Sequence, residues 1–137
     1  MQKVFLDTNI VIDFLGERES FYNVSAKIMT LADKKKIKIL TSPTSISNTY
    51  YLLSKYENAK TALEKIQKFK VLCSISIMND EVIEKAITSD FKYFEDAMQY
   101  FSALASDCDL IITRNEKDFK NALIPVMNAE SYLQTLK

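Results

Sequence analysis

The chain has 137 residues, enough for one domain with a sizeable core, and its 18 Lys plus Arg are matched by 18 Asp plus Glu, so no global cationic field draws in nucleic acid or an anionic membrane and any phosphate binding must be local. Histidine is absent, which excludes Ser-His-Asp and Cys-His nucleophilic catalysis and His-metal motifs, and the single glycine, Gly16, excludes a Walker loop or a dinucleotide fingerprint. Carboxylates and amides remain for any chemistry, and a cluster of them suits a hard cation, Mg²⁺ or Mn²⁺.

Val4-Phe5-Leu6 is a short apolar run of the kind expected from a strand buried on both faces, and it ends on Asp7-Thr8-Asn9. Ligands collect at the carboxyl ends of parallel strands, and a carboxylate there is not core filler. Asp, Thr and Asn also cap helices, here one beginning near Ile10, so position alone leaves Asp7 open between a site and a cap. Ile10 to Leu15 reads as a short helix closed near Gly16. Ser20 is the expected N-cap of a second helix, carried by Phe21, Val24, Ile28, Leu31 and Ala32 to about residue 33. Lys34-Lys35-Lys36 suits the negative end of that helix dipole better than an RNA patch.

Ile37 to Leu40 is the second strand, and Thr41-Ser42-Pro43 turns into a helix with Ile46, Tyr50 and Leu53 on its apolar side. Residues 58 to 69 form an amphipathic helix, Lys70 to Ser74 a third strand, and Asn79 caps a helix bearing Val82, Ile83, Ala86 and Ile87. Phe94, Ala97, Met98, Phe101, Leu104 and Ala105 keep helical spacing and predict a helix over 94–105. It leads into a fourth strand at Asp109 to Thr113, with an edge strand around Ile124 to Val126. Alternating strands and helices predict an α/β fold, a parallel sheet with right-handed crossovers and helices on both faces, in one domain over residues 1–137. No apolar stretch approaches the roughly 18 residues that span a bilayer, and the N-terminus shows no signal-peptide pattern, so a cytoplasmic protein without membrane association is expected. Cys73 and Cys108 lack CxxC spacing and read as buried thiols.

That topology sends four remote segments to one sheet edge. Asp7 and Asn9 end the first strand, and Asn48 lies early in the helix after the second. Glu95 and Asp96 open the helix before the fourth, and Thr113, Arg114 and Asn115 follow that strand with Asp118 one turn on. Glu95 is explained by the helix dipole. Asp96, beside the apolar seam, is the stronger site candidate. Asn115 and Asp118 also read as a cap and a turn. Asp13 and Asp90 have no argued place at this edge and read as solvated or capping residues.

Leu6-Asp7-Thr8-Asn9, Phe94-Glu95-Asp96-Ala97 and the run Ile111-Ile112-Thr113-Arg114-Asn115-Glu116-Lys117-Asp118-Phe119 together resemble PIN-domain ribonucleases, particularly the small VapC-type toxins of prokaryotes. The resemblance implies an α/β/α sandwich that cleaves RNA with Mg²⁺ or Mn²⁺, commonly as a homodimer neutralised by a cognate antitoxin. It implies Asp7 and Asp96 as metal ligands, with Asn115 and Asp118 completing the catalytic set. Asn9, Asn48 and Thr113 are supporting residues in this reading, and Arg114 contacts a substrate phosphate. Asn48 stands where the family usually carries glutamate, and Asn115 where many members carry aspartate, which favours one cation over two. Those departures motivate a second reading, a catalytically weakened PIN-like module that binds RNA or a protein partner. A third, phosphotransfer through Asp7 as nucleophile, needs an aspartate where Asn9 stands. Tyr50 and Tyr51 are candidates either for stacking bases or for the core.

Overall fold

Val4, Phe5 and Leu6 are wholly buried because their strand, β1 (Lys3–Leu6), is the middle of a sheet covered on both faces. In the computed structural model, which describes residues 1–136, the elements that follow are α1 (Thr8–Leu15), α2 (Tyr22–Asp33), β2 (Lys38–Thr41), α3 (Pro43–Tyr56), α4 (Ala59–Leu72), β3 (Cys73–Ile75), α5 (Asp80–Ile87), α6 (Phe94–Ala105), β4 (Leu110–Ile112), one 3₁₀ turn (Glu116–Phe119), β5 (Val126–Met127) and α7 (Ala129–Gln134). The strands are parallel in the order β3-β2-β1-β4-β5, with Phe5 opposite Leu40 on one side and Ile111 on the other. Alternation along β1 divides the core. Val4 and Leu6 pack with Ile10, Ile28, Leu53, Phe69 and Tyr132 of α1, α2, α3, α4 and α7, whereas Phe5 packs with Tyr100 and Ala103 of α6 and with Phe119. The result is the three-layer α/β/α sandwich. Among the described residues, no helix is long and apolar enough to cross a membrane.

Capping chemistry explains most helix starts. Ser42, Asn58, Asn79 and Asn128 each accept the N–H three residues on, and Pro43 opens α3 where its missing N–H costs nothing. At the other ends Glu17, Lys35 and Asp107 adopt positive φ just beyond α1, α2 and α6, a position usually given to glycine. Gly16 serves instead a close approach, since a Cβ there would lie 2.8 Å from the Ile12 carbonyl oxygen.

The sequence reading needs four corrections. Ser20 does not cap α2, which starts at Tyr22 with Phe21 in the cap position and no side-chain cap bond. The third strand is Cys73–Ile75 because α4, with Phe69 in the core, keeps its helical period through Leu72. The last strand is Val126–Met127, and α7 after it was not predicted. The buried face of α6 is Ala97, Tyr100 and Ala103 with Gln99 and Ser102, while Phe94 is 49% exposed. The helix lies between the sheet and α5, so Phe101 and Leu104 serve a second, partly buried surface.

Candidate active site

The Asp7 N–H still donates to the Ile112 carbonyl at 3.0 Å, so the residue closes the β1–β4 ladder and its side chain emerges at the carboxyl edge. That carboxylate is 6% exposed. Its Oδ1 accepts the Thr8 N–H at 2.8 Å and the Gln99 Nε2–H at 3.0 Å, and its Oδ2 accepts the Thr113 hydroxyl at 2.8 Å. The cap and site readings therefore coexist: Asp7 occupies the N-cap position of α1, but two of its three donors come from α6 and from the loop after β4. Thr113 Oγ1 accepts the Asn115 N–H at 3.0 Å and the Asn9 Nδ2–H at 3.3 Å, which directs its only proton to Asp7. Asn9 in turn accepts the Arg114 N–H at 3.3 Å.

Gln99 was missed by sequence reasoning. It is wholly buried on α6 and donates to Asp7, to Ser45 Oγ at 2.7 Å and to Thr8 Oγ1 at 3.3 Å, while its Oε1 accepts the Ser42 hydroxyl. Ser45 and Thr8 hydroxyls are themselves 2.7 Å apart. This buried network ties the start of α3 and the middle of α6 to one orientation of Asp7, and full satisfaction makes such networks rigid. The available signal was a glutamine three residues after Asp96, one helical turn along and next to apolar positions. Ser42 was legible only as part of a turn, and Ser45 carried no signal.

Asp96 is half-buried on the wall of a cleft of about 660 Å³ that also holds Asp7, Asn9, Glu95, Asn115 and Asp118. Burial, and then the charges of Asp7, Asp118 and Glu95, push its carboxyl up to about 7. No hydrogen bond or ion pair within the described residues involves the Asp96 or Asp118 side chain. Asp118 is placed by the 3₁₀ turn, its N–H donating to the Asn115 carbonyl at 3.0 Å. The acids line one cleft without converging on a point: among the described residues no three carboxylate or thiol groups are gathered closely enough to hold a metal ion. Asp7 is buried and held by its three donors, while Asp96 and Asp118 are partly exposed in the same cleft.

Asn48 lies outside the cleft. It is exposed on α3 and reaches the site only through its Nδ2–H, which donates to Glu95 Oε1 at 3.1 Å. Arg114 was expected on a substrate phosphate, but its Nε–H and Nη2–H donate to Asp13 Oδ2 at 2.8 Å and Oδ1 at 3.1 Å, and its guanidinium lies 4.1 Å from the Phe21 ring centroid. Asp13, expected to be solvated or capping, is 1% exposed. A carboxylate that deep requires a partner, and the fork of Arg114 supplies it. Burial still raises the Asp13 pKa above the ordinary range, opposed by Arg114 and by Arg18 at 3.9 Å. Tyr50 packs against the core and Tyr51 is largely exposed; neither lines the cleft.

The sequence pattern of the family described as PIN domain matches residues 3–117, from β1 through the segment that carries Asn115. The chain belongs to the PIN-domain family. This PIN domain is 32% identical over 138 residues to ribonuclease VapC1 of Aquifex aeolicus (strain VF5), an alignment covering 97% of this chain and 94% of that protein. Its fold is similar to that in the crystal structure of VapBC-1 from nontypeable Haemophilus influenzae, with a TM-score of 0.67 at 14% identity over 94% of this chain and 99% of the other. It is also similar to Mycobacterium tuberculosis VapC20, described as a Sarcin-Ricin loop cleaving toxin, with a TM-score of 0.62 at 15% identity over 79% and 86% of the two chains. At these identities the two structures speak to the fold.

Proposed function

We propose that this PIN domain is an endoribonuclease that hydrolyses RNA phosphodiester bonds with the help of Mg²⁺ or Mn²⁺. The observation that carries the reading is the cleft that gathers the carboxylates of Asp7, Asp96 and Asp118 in a chain 32% identical to a protein named a ribonuclease. The donor set fits a hard divalent ion: carboxylates and amides without thiol or imidazole, and an Asp96 whose pKa is raised first by burial and then by the neighbouring acids Asp7, Asp118 and Glu95, with Arg18 the one cationic side chain among the described residues that line the cleft. Asp7 and Asp96 would hold the ion, with Asn9, Asn115 and Asp118 assisting through water. When bound, such an ion polarises the scissile phosphate and acidifies the attacking water. Gln99 and Thr113 keep Asp7 in one orientation, and Asp118, which lines the same cleft, would accept the proton released by the attacking water. Arg114 is a positioning residue here, holding the loop after β4 against α1.

The whole chain is proposed to act as one PIN unit, the toxin of a toxin–antitoxin pair, paired as a homodimer and neutralised by a cognate antitoxin; the support is the likeness to VapC1 and to VapBC-1. Neutral Asn115 and the position of Asn48 outside the cleft support the alternative of a weakened module that binds RNA or protein. Incubating the protein with single-stranded RNA in Mg²⁺, Mn²⁺ or EDTA separates the two. Cleavage that needs the metal is expected; binding without cleavage in any metal establishes the alternative.

The metal reading also has a thermal signature. Asp96 has a folded-state pKa of about 7, above its ordinary 3.8, so the fold gains from its proton below about pH 4 and loses that gain as pH rises through 7. The melting temperature without metal is expected to fall between pH 5 and pH 8, less steeply in Asp96→Asn. At pH 8 a cation at a hundredfold excess over its Kd adds roughly 2.7 kcal/mol to the native state, several degrees of melting temperature. Asp7→Asn should lose that gain. An equal metal response in wild type, Asp7→Asn and Asp96→Asn would leave Asp7 as a cap alone.

A further inference from the structure

The start of α6 presents two aromatic rings to solvent, Tyr93 at 48% and Phe94 at 49% exposure, both on the rim of the acidic cleft. Burial was available nearby. Phe91 packs on Tyr100 and Phe119, with ring centroids 5.1 and 6.0 Å apart, and leaves the next two aromatics outside. Beside them lies a shallow depression of about 240 Å³ lined by Lys92, Lys117 and Lys120 with Asp90, Asp118 and Asn121. Asp118 lines the acidic cleft as well, and Lys92 is next in sequence to Tyr93, so the two hollows adjoin at Asp118. All three lysines are exposed, and none makes an ion pair among the described residues. The acids that share the depression, Asp90 and Asp118, stand within 4 Å of none of these ammonium groups, and Glu116 of the 3₁₀ turn accepts instead from Asn128 at 3.1 Å. The Lys92 ammonium stands 5.2 Å from the Tyr93 ring centroid, next to that shelf.

We infer that Tyr93 and Phe94 with Lys92, Lys117 and Lys120 form a track for single-stranded RNA leading into the cleft, an unpaired base stacking on the rings while the lysines hold its phosphates. The inference rests on the RNA reading of the cleft and adds the face from which the strand enters. Charge selects the occupant. On a chain of zero net charge, three unpaired lysines beside an exposed aromatic pair match the two features that a single strand offers, a polyanionic backbone and a flat base. An acidic peptide would satisfy the lysines and leave the rings bare. Tyr50, packed against the core, and Tyr51, exposed on α3, line neither hollow and are not part of this track.

The test is binding of a fluorescent decauridylate in EDTA, which prevents metal-dependent cleavage and reads the track alone. Tyr93→Ala/Phe94→Ala should weaken binding about tenfold, since stacking on a protein aromatic contributes of that order per base. Lys92→Ser/Lys117→Ser/Lys120→Ser should weaken it and flatten the slope of log affinity against log salt by roughly 2, about 0.7 for each phosphate that is no longer neutralised. Lys34→Ser/Lys35→Ser/Lys36→Ser, between α2 and β2 at the opposite sheet edge, should bind like wild type. Unchanged melting temperatures would show that each variant folds. Wild-type affinity in both track variants, or an equal loss in the Lys34–Lys36 variant, overturns the inference. So does a track variant that keeps its RNA affinity but loses binding to polyglutamate, which would make the surface a protein-docking one. Metal-dependent cleavage by the wild type is scored separately: its absence removes the nuclease reading, and the binding differences still decide the track.

Discussion

Asp96→Asn is expected to lower metal-dependent RNA cleavage by on the order of 10²–10³-fold, the scale on which loss of one group that stabilises transition-state charge is felt. The exchange keeps shape and one oxygen and removes a charge from a wall where no protein donor holds it, so the fold should survive. Its metal-free melting temperature at pH 8 should equal or exceed that of wild type, because burial and three neighbouring acids already disfavour the ionised carboxyl. Asp7→Asn is a less clean probe. Thr113 must give its single proton to Asp7, and an amide there can set an N–H against it. The comparison is single-turnover cleavage by wild type, Asp96→Asn and Asp33→Asn, the last at the far end of α2. Full activity in Asp96→Asn, or equal loss in Asp33→Asn, would remove Asp96 from the site.

Arg114→Met should produce the largest loss of stability. It strands Asp13, 1% exposed, without the bidentate partner at 2.8 and 3.1 Å. Breaking a buried pair from one side typically costs about 3–5 kcal/mol, which for a chain of this size is on the order of 10 °C or more. The sign with pH follows from the raised Asp13 pKa: removing Arg114 raises it further, so the deficit should be greatest at neutral and alkaline pH and shrink in acid as the carboxyl protonates. Arg114→Met/Asp13→Leu should recover much of the loss, since replacing both members of a buried pair by apolar groups is often close to neutral. If Arg114 instead served a substrate phosphate, Arg114→Met would raise KM and leave the melting curve unchanged.

What the sequence determined by itself was local or topological. Val4 to Leu6 reads as a buried strand because a two-sided strand has no polar alternate, and the helices after it are marked by period and caps such as Asn79. Parallel connections then oblige the carboxyl end of every strand to share an edge, which is why Asp7, Asp96, Asn115 and Asp118 could be assembled from sequence and why the structure places them in one cleft. The tertiary structure decided whatever depended on two distant segments meeting. Arg114 and Asp13 are 101 positions apart and Gln99 and Asp7 are 92 apart, and no periodicity reports such pairing. The rotation of α6 also lay beyond the sequence, because a helix packed between a sheet and another helix has two apolar faces and only packing reveals which is deeper. At six residues α7 is too short for its period to show, and its buried Tyr132 becomes meaningful only once the core it completes is in place. Local patterns record which side of a segment avoids water; the partner of a buried charge is chosen by the fold.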